Sequence, residues 1–598
     1  MNGHWLLLLA AVTPASLTVR IGGVGYAPGD PKIATVETDA ARPLLWRIED
    51  ADGRVLLTGR TVPQGRDAAA GRATHRADFS TFAGRGTGFR LVVADVPGPT
   101  FSMTAHSFRP LARDAMAYFY HNRAGVPIEA RLVGERWARP AGHPRERATC
   151  FAGTDERGTR WPGCAYTLDV TGGWYDAGDH GKYVVNGGIA AWTLLNLAEW
   201  THAKGHPAPF ADRSLAIPEA GNGTDDLLDE ARVEVEFLLA MQVPAGVTAA
   251  LPVDQPDGRS ARRLTPVDAS GMAHHKVADA RWTALPMRPD RDPEPRLLYP
   301  PSTAATLNLA AVAAQAARVW RMRDPAFAAR CLAAARAALA AARRNPAIYA
   351  GQGFTGSGDY GDRDLSDELF WALAELHATT GEPALLAELR ASPFFDRTAT
   401  EPGWPAVATL GLVTLALADP HLSDIDRQFV RSRIVAAAAG FRHEASRSGY
   451  GIPHAGTDYV WGSNAVLLNR AMLLALAADW TGDAGYRRGV VATLDYLTGR
   501  NPLGRSFVAG YGPDPMRHPH HRFWAAGIDP AYPPAPPGAL SGGPNNSGRG
   551  DEVARALGPC APMTCWADDA RAYSLNEVAI NWNAPLVWVA AWRDATER

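Results

Sequence analysis

Two aspartates three residues apart are the best candidates in this chain for activating a water molecule. Asp176 and Asp179 lie in the segment GGWYDAGDHGKY, which begins at Gly172. The same stretch carries three aromatic residues: Trp174, Tyr175 and Tyr183. Close carboxylates framed by aromatic rings suit general base chemistry beside a sugar ring. A second interpretation is a tight turn that is stabilised by Asx hydrogen bonds.

A third carboxylate, Glu577, could supply the acid that such a base requires. It lies in SLNEVAINWNAP, which begins at Ser574. Neighbours such as Tyr573 and Trp582 could keep the acid protonated. Ser574 and Glu577 also have the spacing of a helix capping box. In that arrangement the backbone amides would favour the charged form and make Glu577 a poor acid, so both interpretations stay open.

Three further clusters have side chains that can bind a ligand. The segment PHHR contains His520 and Arg522, and the longer run RHPHHR permits a metal interpretation. Ligands so close in sequence, with a proline between them, seldom complete a metal site alone. Trp461 and Tyr459 are candidates for a sugar platform, because the C–H face of a sugar packs on an aromatic ring. For any single one of the 18 tryptophans, core packing is the simpler explanation.

The segment DRDLSDELFW, from Asp362, offers oxygen ligands for a hard cation. The candidate ligands are Asp364, Asp367 and Glu368. The alternative is the acidic first turn of a helix headed by Ser366.

The composition of the chain limits its class. It has 598 residues, which predicts two or more domains, and a net charge of -2. That charge gives no reason to expect nucleic acid or an anionic membrane as partner. Residues 1–16 contain a short apolar run typical of a signal peptide, and a buried strand or a mis-assigned start is the alternative. Elsewhere we expect no membrane-spanning segment.

The five cysteines fit an exported protein. Cys150 and Cys164 bracket one short loop, and Cys560 and Cys565 bracket another, so each pair is a candidate disulfide. Cys331 lies in an alanine-rich helical pattern and is predicted to be a small buried residue.

The pattern of apolar residues divides the chain in two. In residues 17–109, apolar and polar residues alternate in short runs that are separated by Gly, Pro and Asp. This pattern predicts a small β-sandwich. From residue 112 to 598 about a dozen segments have apolar residues at helical spacing, for example GIAAWTLLNLAEW from Gly188. Helices without intervening strands exclude a parallel α/β fold, so the chain is predicted to be mainly α.

Two long connections interrupt the helical part. They run from Pro252 to Ser302 and from Asn501 to about Tyr573. Loops of this length are uncommon in a compact domain and tend to be functional. Their aromatic residues could line a cleft: Trp282, Tyr299, Tyr511, Trp524 and Tyr532.

These motifs together resemble glycoside hydrolase family 9, the inverting cellulase family. The resemblance rests on GGWYDAGDHGKYVVNGG, on PHHR and on NEVAINWNAP, and similar segments run from about Val19 to the C-terminus. The opening VRIGGVGYAPGDPK resembles the immunoglobulin-like module that precedes many family catalytic domains, although Gly22 and Gly23 stand where relatives usually have Asn-Gln. Ala509 and Asp514 also depart from the family pattern.

The resemblance implies a fold and a set of roles. The fold would be an (α/α)6 barrel preceded by an Ig-like β-sandwich. Asp179 would be the base, Asp176 would help to hold the water and Glu577 would be the general acid. His520 and Arg522 would bind sugar hydroxyls, and His275 would lie in a loop that lines the cleft.

The resemblance also implies a substrate and limits the cofactors. We expect a secreted or periplasmic, monomeric endo-β-1,4-glucanase acting on β-glucan or cello-oligosaccharides. No cofactor would be needed, although some relatives bind a structural calcium near Asp367. Other relatives bind zinc through Cys and His near Cys150, but no His follows either cysteine here, which favours the disulfide. The alternatives are an exo-acting cellobiase, an exo-β-glucosaminidase, an inactive sugar-binding protein, and a non-hydrolytic helical barrel such as an epimerase or lyase.

Overall fold

The structure, a computed structural model, describes residues 17–207, 210–256 and 260–597. The predicted signal peptide, residues 1–16, lies outside the described residues.

The described chain begins with a β-sandwich. Eight strands form two antiparallel four-stranded sheets, ordered β1-β2-β6-β5 and β4-β3-β7-β8. The strands are β1 Thr18–Arg20, β2 Ile33–Glu37, β3 Leu45–Glu49, β4 Val55–Arg60, β5 Val62–Asp67, β6 Arg72–Asp78, β7 Gly86–Val93 and β8 Val96–Met103. Alternate residues such as Trp46, Ile48 and Leu91 point inward and form one apolar core, as the period of two requires. The predicted sandwich is therefore confirmed.

Helices follow the sandwich. They are α1 Arg109–His121, α2 Ala130–Val133, α3 Val184–Lys204, α4 Asp226–Ala240, α5 Thr303–Trp320, α6 Pro325–Arg344, α7 Ser366–Thr380, α8 Pro383–Ala391, α9 Pro393–Asp396, α10 Ala408–Leu417, α11 Asp424–Arg447, α12 Ser463–Thr481, α13 Ala484–Leu497, α14 Glu552–Ala556, α15 Tyr573–Asn576 and α16 Ile580–Ala595.

Twelve of these helices form two concentric rings. The inner ring is α3, α5, α7, α10, α12 and α16, and the outer ring is α1, α4, α6, α8, α11 and α13. Helix α16 packs on α3, α3 on α5, α5 on α7 and α7 on α10, while α12 packs on α16. Helix α11 contacts both α10 and α12 and completes the circle. This arrangement is the expected (α/α)6 barrel.

The sequence of each helix explains its ring. Inner helix α5 is buried along nearly its whole length, because its own Ala, Leu and Val side chains occupy every face of the helix. Outer helix α6 buries Cys331, Ala335, Ala338 and Ala342, which recur at helical spacing on one face. Its opposite face carries arginines that pair with acids of neighbouring helices.

Short strands lie in the connections between helices. They are β9 Arg147–Cys150, β10 Ala152–Thr154, β11 Arg160–Pro162, β12 Thr167–Asp169, β13 Lys182–Tyr183, β14 Thr248–Leu251, β15 Thr265–Asp268, β16 Ala273–His274, β17 Lys276–Asp279, β18 Arg296–Leu298 and β19 Pro301–Ser302. The five-stranded sheet β12-β9-β18-β17-β13 organises one end of the barrel. Much of the long connection after Pro252 is therefore ordered by strand pairing.

Two buried acids of the sandwich join it to the barrel. Asp30 pairs with Arg593 of α16 at 2.5 Å and with Arg487 of α13 at 2.7 Å. Glu37 pairs with Arg20 and Arg72 of its own module and accepts a hydrogen bond from Tyr450 of the barrel at 2.9 Å. The two modules therefore share a charged, largely buried interface.

Both cysteine pairs are disulfides, Cys150–Cys164 and Cys560–Cys565, and Cys331 is free and buried. The predictions for all five cysteines are confirmed.

Among the described helices, α6 alone has the length and apolar composition of a membrane span. It packs against α5 in the barrel wall, and core helices of this kind meet the same criterion.

Candidate active site

A cavity of about 740 Å³ opens at the end of the barrel where the three sequence motifs meet. Its lining combines acids with many aromatic rings. The lining residues are Ala177, Asp179, Tyr183, Trp282, Gly358, Asp359, Tyr360, Trp404, Trp461, His520, Arg522, Tyr573, Glu577, Asn581 and Trp582. Such a lining offers apolar faces for sugar rings and a few polar groups that can fix their orientation.

Asp179 lies in the cavity wall on the turn that leads into strand β13 and helix α3. Its Oδ1 accepts a hydrogen bond from the backbone N–H of Gly181 at 2.6 Å. Its Oδ2 accepts from the hydroxyl of Tyr183 at 3.3 Å. Only 8% of the residue is exposed, so these donors orient a carboxylate that faces the cavity.

Asp176 is fully buried and lies outside the set of described residues that line the cavity. Asn186 donates to both of its oxygens at 3.1 Å, and the Tyr360 hydroxyl donates to Oδ2 at 2.8 Å. Burial raises the pKa of Asp176 to about 7, and the nearby charge of Asp179 adds to that increase. Hydrogen-bond donors therefore surround both aspartates: side chains at Asp176, and a backbone N–H and a tyrosine hydroxyl at Asp179.

Glu577 faces the same cavity from the segment between helices α15 and α16. Burial raises the pKa of Glu577 well above its ordinary value, and the negative charge of Asp179 raises it further. The only hydrogen-bond donor to its carboxyl group in the described residues is the backbone N–H of Gly178, at 3.2 Å. These conditions keep the carboxyl protonated, as a general acid requires.

The capping-box interpretation of Glu577 is wrong. Ser574 lies inside the four-residue helix α15 and donates to Asp551 at 2.5 Å, while Glu577 follows the end of that helix. Helix α16 begins only at Ile580, so Glu577 has no helix N-terminus to cap.

Backbone hydrogen bonds join the three motifs to one another. Ile580 donates to the carbonyl of Asp176 at 2.9 Å, and His520 donates to that of Asn576 at 2.9 Å. Arg522 donates to the carbonyl of Gly178 at 2.9 Å. A Cβ on Gly178 would lie 2.6 Å from His520 Cδ2 and 3.0 Å from Glu577 Oε1, so only glycine permits this approach.

His520 and Arg522 both line the cavity. The Nδ1 of His520 is 2.7 Å from the carbonyl of Ala570, and burial lowers its pKa to about 4. The imidazole is therefore neutral, and with Nδ1 donating to that carbonyl its Nε2 can accept a hydrogen bond from a hydroxyl. Arg522 donates through Nε to Thr283 at 2.7 Å and through Nη1 to Gly178 at 3.1 Å, so it also fixes the aspartate turn.

Seven of the fifteen lining residues are Tyr or Trp: Tyr183, Trp282, Tyr360, Trp404, Trp461, Tyr573 and Trp582. Trp461 is 45% exposed and lies 5.6 Å from the ring of Tyr573, and Trp282 is 52% exposed beside Arg522. Tyr360 and Trp404 were missed by the sequence analysis. Tyr360 lies in an irregular connection at φ 45°, where no periodic pattern signals a role.

Several predicted residues lie elsewhere. Tyr459 is 1% exposed and packs on His454, so it cannot be a sugar platform on this cavity. His275 is buried between Ser302 and the carbonyl of Asp359, where it supports the wall without lining it. Trp174 and Tyr175 are core residues, and so are Tyr299 and Trp524 from the long connections.

Two of the three predicted cation ligands lie in one group of carboxylates, and the third does not. Asp367 and Glu368 lie with Asp362, and one oxygen of each lies within 4.8 Å of the others. Asp364 is exposed instead and accepts hydrogen bonds from Ser366 at the start of α7, which is the helix-start interpretation. Sequence spacing could not distinguish Asp362 from Asp364, because the residues before α7 are irregular.

Comparison with known proteins identifies the family. A family profile described as glycosyl hydrolase family 9 matches residues 108–590, and one described as a cellulase N-terminal ig-like domain matches residues 15–97. The chain belongs to glycosyl hydrolase family 9.

Individual family 9 relatives match over nearly the whole chain. Endoglucanase C of Cellulomonas fimi is 42% identical over 96% of this chain and 51% of its own length. A cellulose 1,4-beta-cellobiosidase of Acetivibrio thermocellus is 40% identical over 96% of this chain and 67% of its own length. The chain thus spans about half to two thirds of these relatives.

A solved structure, AaCel9A in complex with cellobiose-like isofagomine, superposes with a TM-score of 0.80 at 31% identity. The match covers 96% of this chain and 99% of that one, so the sandwich and the barrel are both shared.

Proposed function

We propose that this chain is an inverting glycoside hydrolase that cleaves β-1,4-glucosidic bonds within cellulose-type glucans and cello-oligosaccharides. One observation carries the proposal: Glu577 accepts a hydrogen bond from the N–H of Gly178, next to Asp179, and both carboxyl groups line the same cavity. The relative at 42% identity is named an endoglucanase, and this supports endo action.

In the proposed reaction, Asp179 takes a proton from a water molecule as the water oxygen attacks the anomeric carbon. Glu577 gives its proton to the glycosidic oxygen, which leaves with the departing sugar. Inversion requires the water to fit between the sugar and the base, with the two carboxyl groups roughly 6.5–9.5 Å apart. One water molecule is consumed: its OH group joins the anomeric carbon, and the proton that Asp179 takes returns to solvent while Glu577 regains a proton from solvent. No cofactor takes part.

Asp176 is proposed to act on the water through its neighbours. Its oxygens are held by Asn186 and Tyr360, and Tyr360 lines the cavity. Asp176 thereby fixes the wall beside Asp179 and the position of the water.

Aromatic platforms and polar side chains are proposed to hold the glucan. Trp461 and Trp282 present exposed faces on which pyranose rings can stack. His520 and Arg522 accept and donate hydrogen bonds to hydroxyls of the sugar beside the cleaved bond.

A cellobiose-releasing exo activity is the second candidate, because the relative at 40% identity is a cellobiosidase. The product analysis described next also tests for exo-β-glucosaminidase activity. An inactive sugar-binding protein is disfavoured, because all three carboxylates are present.

Product analysis separates these candidates. The chain is incubated with carboxymethyl cellulose, cello-oligosaccharides and chitosan oligomers, and products are followed by chromatography. Endo action gives a rapid fall in viscosity and a range of short oligomers. Cellobiose alone from the first minutes indicates exo action, glucosamine indicates the glucosaminidase, and the absence of hydrolysis rejects the proposal.

We also propose a structural calcium ion at Asp362, Asp367 and Glu368. The residues fit a hard cation, because Asp362 Oδ2, Asp367 Oδ1 and both oxygens of Glu368 are buried without a hydrogen-bond partner. The ion would hold the start of α7 against the preceding loop and would take no part in hydrolysis. We propose further that the protein is secreted or periplasmic, since its two disulfides suit an oxidising compartment. It is proposed to act as a monomer.

A further inference from the structure

A second group of possible metal ligands lies behind the aspartate turn, outside the cavity lining. It consists of His143, which precedes strand β9, Asp279 at the end of β17, and Asp292 just after the short 3-10 turn Pro289–Arg291. One ligand atom from each residue lies within 4.8 Å of the others. Three separate connections thus bring one imidazole and two carboxylates to a single point.

Each of the three residues is held by another group. The Nδ1 of His143 is 2.6 Å from the Tyr175 hydroxyl, and Asp279 Oδ1 accepts from Arg296 at 2.6 Å. Asp292 Oδ2 is 2.6 Å from the Nδ1 of His180. Protein metal ligands are oriented in this way, with one atom of the side chain held by an outer partner and another facing the ion.

His143 leaves one nitrogen without a partner. Its Nε2 is buried and makes no hydrogen bond in the described residues. In the tautomer whose Nδ1 carries the proton and donates it to the Tyr175 hydroxyl, Nε2 has a free lone pair that can bind a metal ion. A buried acceptor without a partner is unfavourable, and a ligand at this position would satisfy it.

The charged side chains around the group carry a net negative charge, which favours a bound cation. Glu146, Asp279 and Asp292 supply three negative charges, while Arg296 and Lys182 supply two positive ones.

We propose that His143, Asp279 and Asp292 bind one divalent transition-metal ion of the Zn²⁺ class. An imidazole nitrogen together with two carboxylates suits Zn²⁺ better than Ca²⁺, which prefers oxygen ligands alone. The site is distinct from Asp362, Asp367 and Glu368, which offer only oxygen, and from Cys150 and Cys164, which are joined as a disulfide. The ion ties together three connections that support the aspartate turn through His180.

Zinc titration of the full chain tests this proposal. The protein is treated with EDTA, dialysed into excess Ca²⁺ to fill the oxygen-only site, and titrated with Zn²⁺ in a calorimeter. We expect one saturable equivalent per chain, and we expect His143→Ala to weaken binding at least about 10-fold. Tyr175→Phe, which removes only the outer partner, should weaken it by about 10-fold or more while keeping the fold.

A matched control separates this group from a similar one on the surface. His106 lies with Asp594 and Glu597 in a more exposed group that also consists of one histidine and two carboxylates. His106→Ala should leave the high-affinity equivalent unchanged. Co²⁺ added in place of Zn²⁺ should give a visible absorption band in the parent chain and not in Asp292→Asn.

Thermal unfolding gives a readout that does not depend on activity. Zn²⁺ should raise the midpoint of the parent chain and of His106→Ala equally, and raise that of Tyr175→Phe less at the same concentration. Absence of saturable binding, or equal binding by the parent chain and both His143→Ala and Tyr175→Phe, would overturn the proposal.

Discussion

The carboxyl of Glu577 accepts a hydrogen bond from the backbone N–H of Gly178 at 3.2 Å, across nearly 400 residues of chain. Since Gly178 precedes Asp179, this contact brings the acid and the base to one cavity. The same glycine accepts hydrogen bonds from Arg522 through its carbonyl. One glycine residue therefore connects three candidate functional groups, since its N–H contacts Glu577, its carbonyl contacts Arg522 and Asp179 follows it in the chain.

Removing the acid and removing the base should have different consequences. Glu577→Gln and Asp179→Asn should each lower kcat on cellotetraose by about 10²–10⁴-fold, because each removes one proton-transfer partner. With 2,4-dinitrophenyl cellobioside the leaving group needs no proton, so Glu577→Gln should recover most of its activity and Asp179→Asn should not. Steady-state kinetics on both substrates measures the difference. Equal losses on both substrates would reject the assignment of Glu577 as acid.

Exposed tryptophans should contribute to binding more than to chemistry. Trp461→Ala and Trp282→Ala should each raise KM for cello-oligosaccharides by about 2–10-fold, corresponding to roughly 0.5–1.5 kcal/mol of ring contact. The changes to phenylalanine should restore most of the affinity, because they keep an apolar face. Tyr459→Phe serves as the control away from the cavity and should leave KM unchanged. A tryptophan whose loss leaves KM unaltered does not contact the glucan.

Calcium should stabilise the protein in a pH-dependent manner. Burial raises the pKa of Asp362 to about 6 and that of Glu368 well above its ordinary value. Without an ion, the folded chain therefore holds protons that the unfolded chain releases, and stability falls as pH rises from about 4 through 6. Calcium should cancel this fall, adding about 2.7 kcal/mol at 100 times its Kd.

Thermal unfolding at pH 5 and pH 7, with EDTA or with CaCl₂, measures the calcium effect. The difference should be larger at pH 7 and should disappear in Glu368→Gln. Asp364→Asn is the matched control and should keep the full effect. A calcium effect lost in Asp364→Asn but retained in Glu368→Gln would contradict the assignment.

The shared interface should make the barrel depend on the sandwich. Glu37→Gln removes the charge that Arg20, Arg72 and Tyr450 share, and should lower the free energy of unfolding by about 1–3 kcal/mol. Glu49→Gln removes a partly exposed ion pair with Arg47 inside the sandwich and should cost less than about 1 kcal/mol. Chemical denaturation of both variants provides the comparison. Equal losses would show that Glu37 contributes no more than a surface pair.

Repeating patterns of apolar and polar residues predicted much of the fold. Alternation predicted the sandwich strands, and the helical spacing of GIAAWTLLNLAEW predicted a helix that the structure extends to Val184–Lys204. The arrangement of helices in two rings came from the family resemblance, since periodicity does not specify which helices are neighbours. Irregular connections were the least predictable part. Tyr360 and Asp362 lie in one of them, and only tertiary contacts reveal their roles.

Burial explains the site residues that were misplaced. Tyr459 and Trp461 stand two residues apart, yet the first is 1% exposed and the second 45%. A turn before α12 separates their environments, and composition alone does not show which ring faces the cavity. His275 was similarly predicted beside the cleft and lies one layer behind it, where it holds the carbonyl of Asp359.

The stereochemistry of the first product tests the central claim most directly. Proton NMR of cellotetraose during the first minutes of hydrolysis resolves the anomers of the newly formed reducing end before they equilibrate. Direct attack by a water held at Asp179, with Glu577 as acid, predicts that the α-anomer appears first from the β-linked substrate. Initial formation of the β-anomer would require a covalent intermediate and would contradict this account.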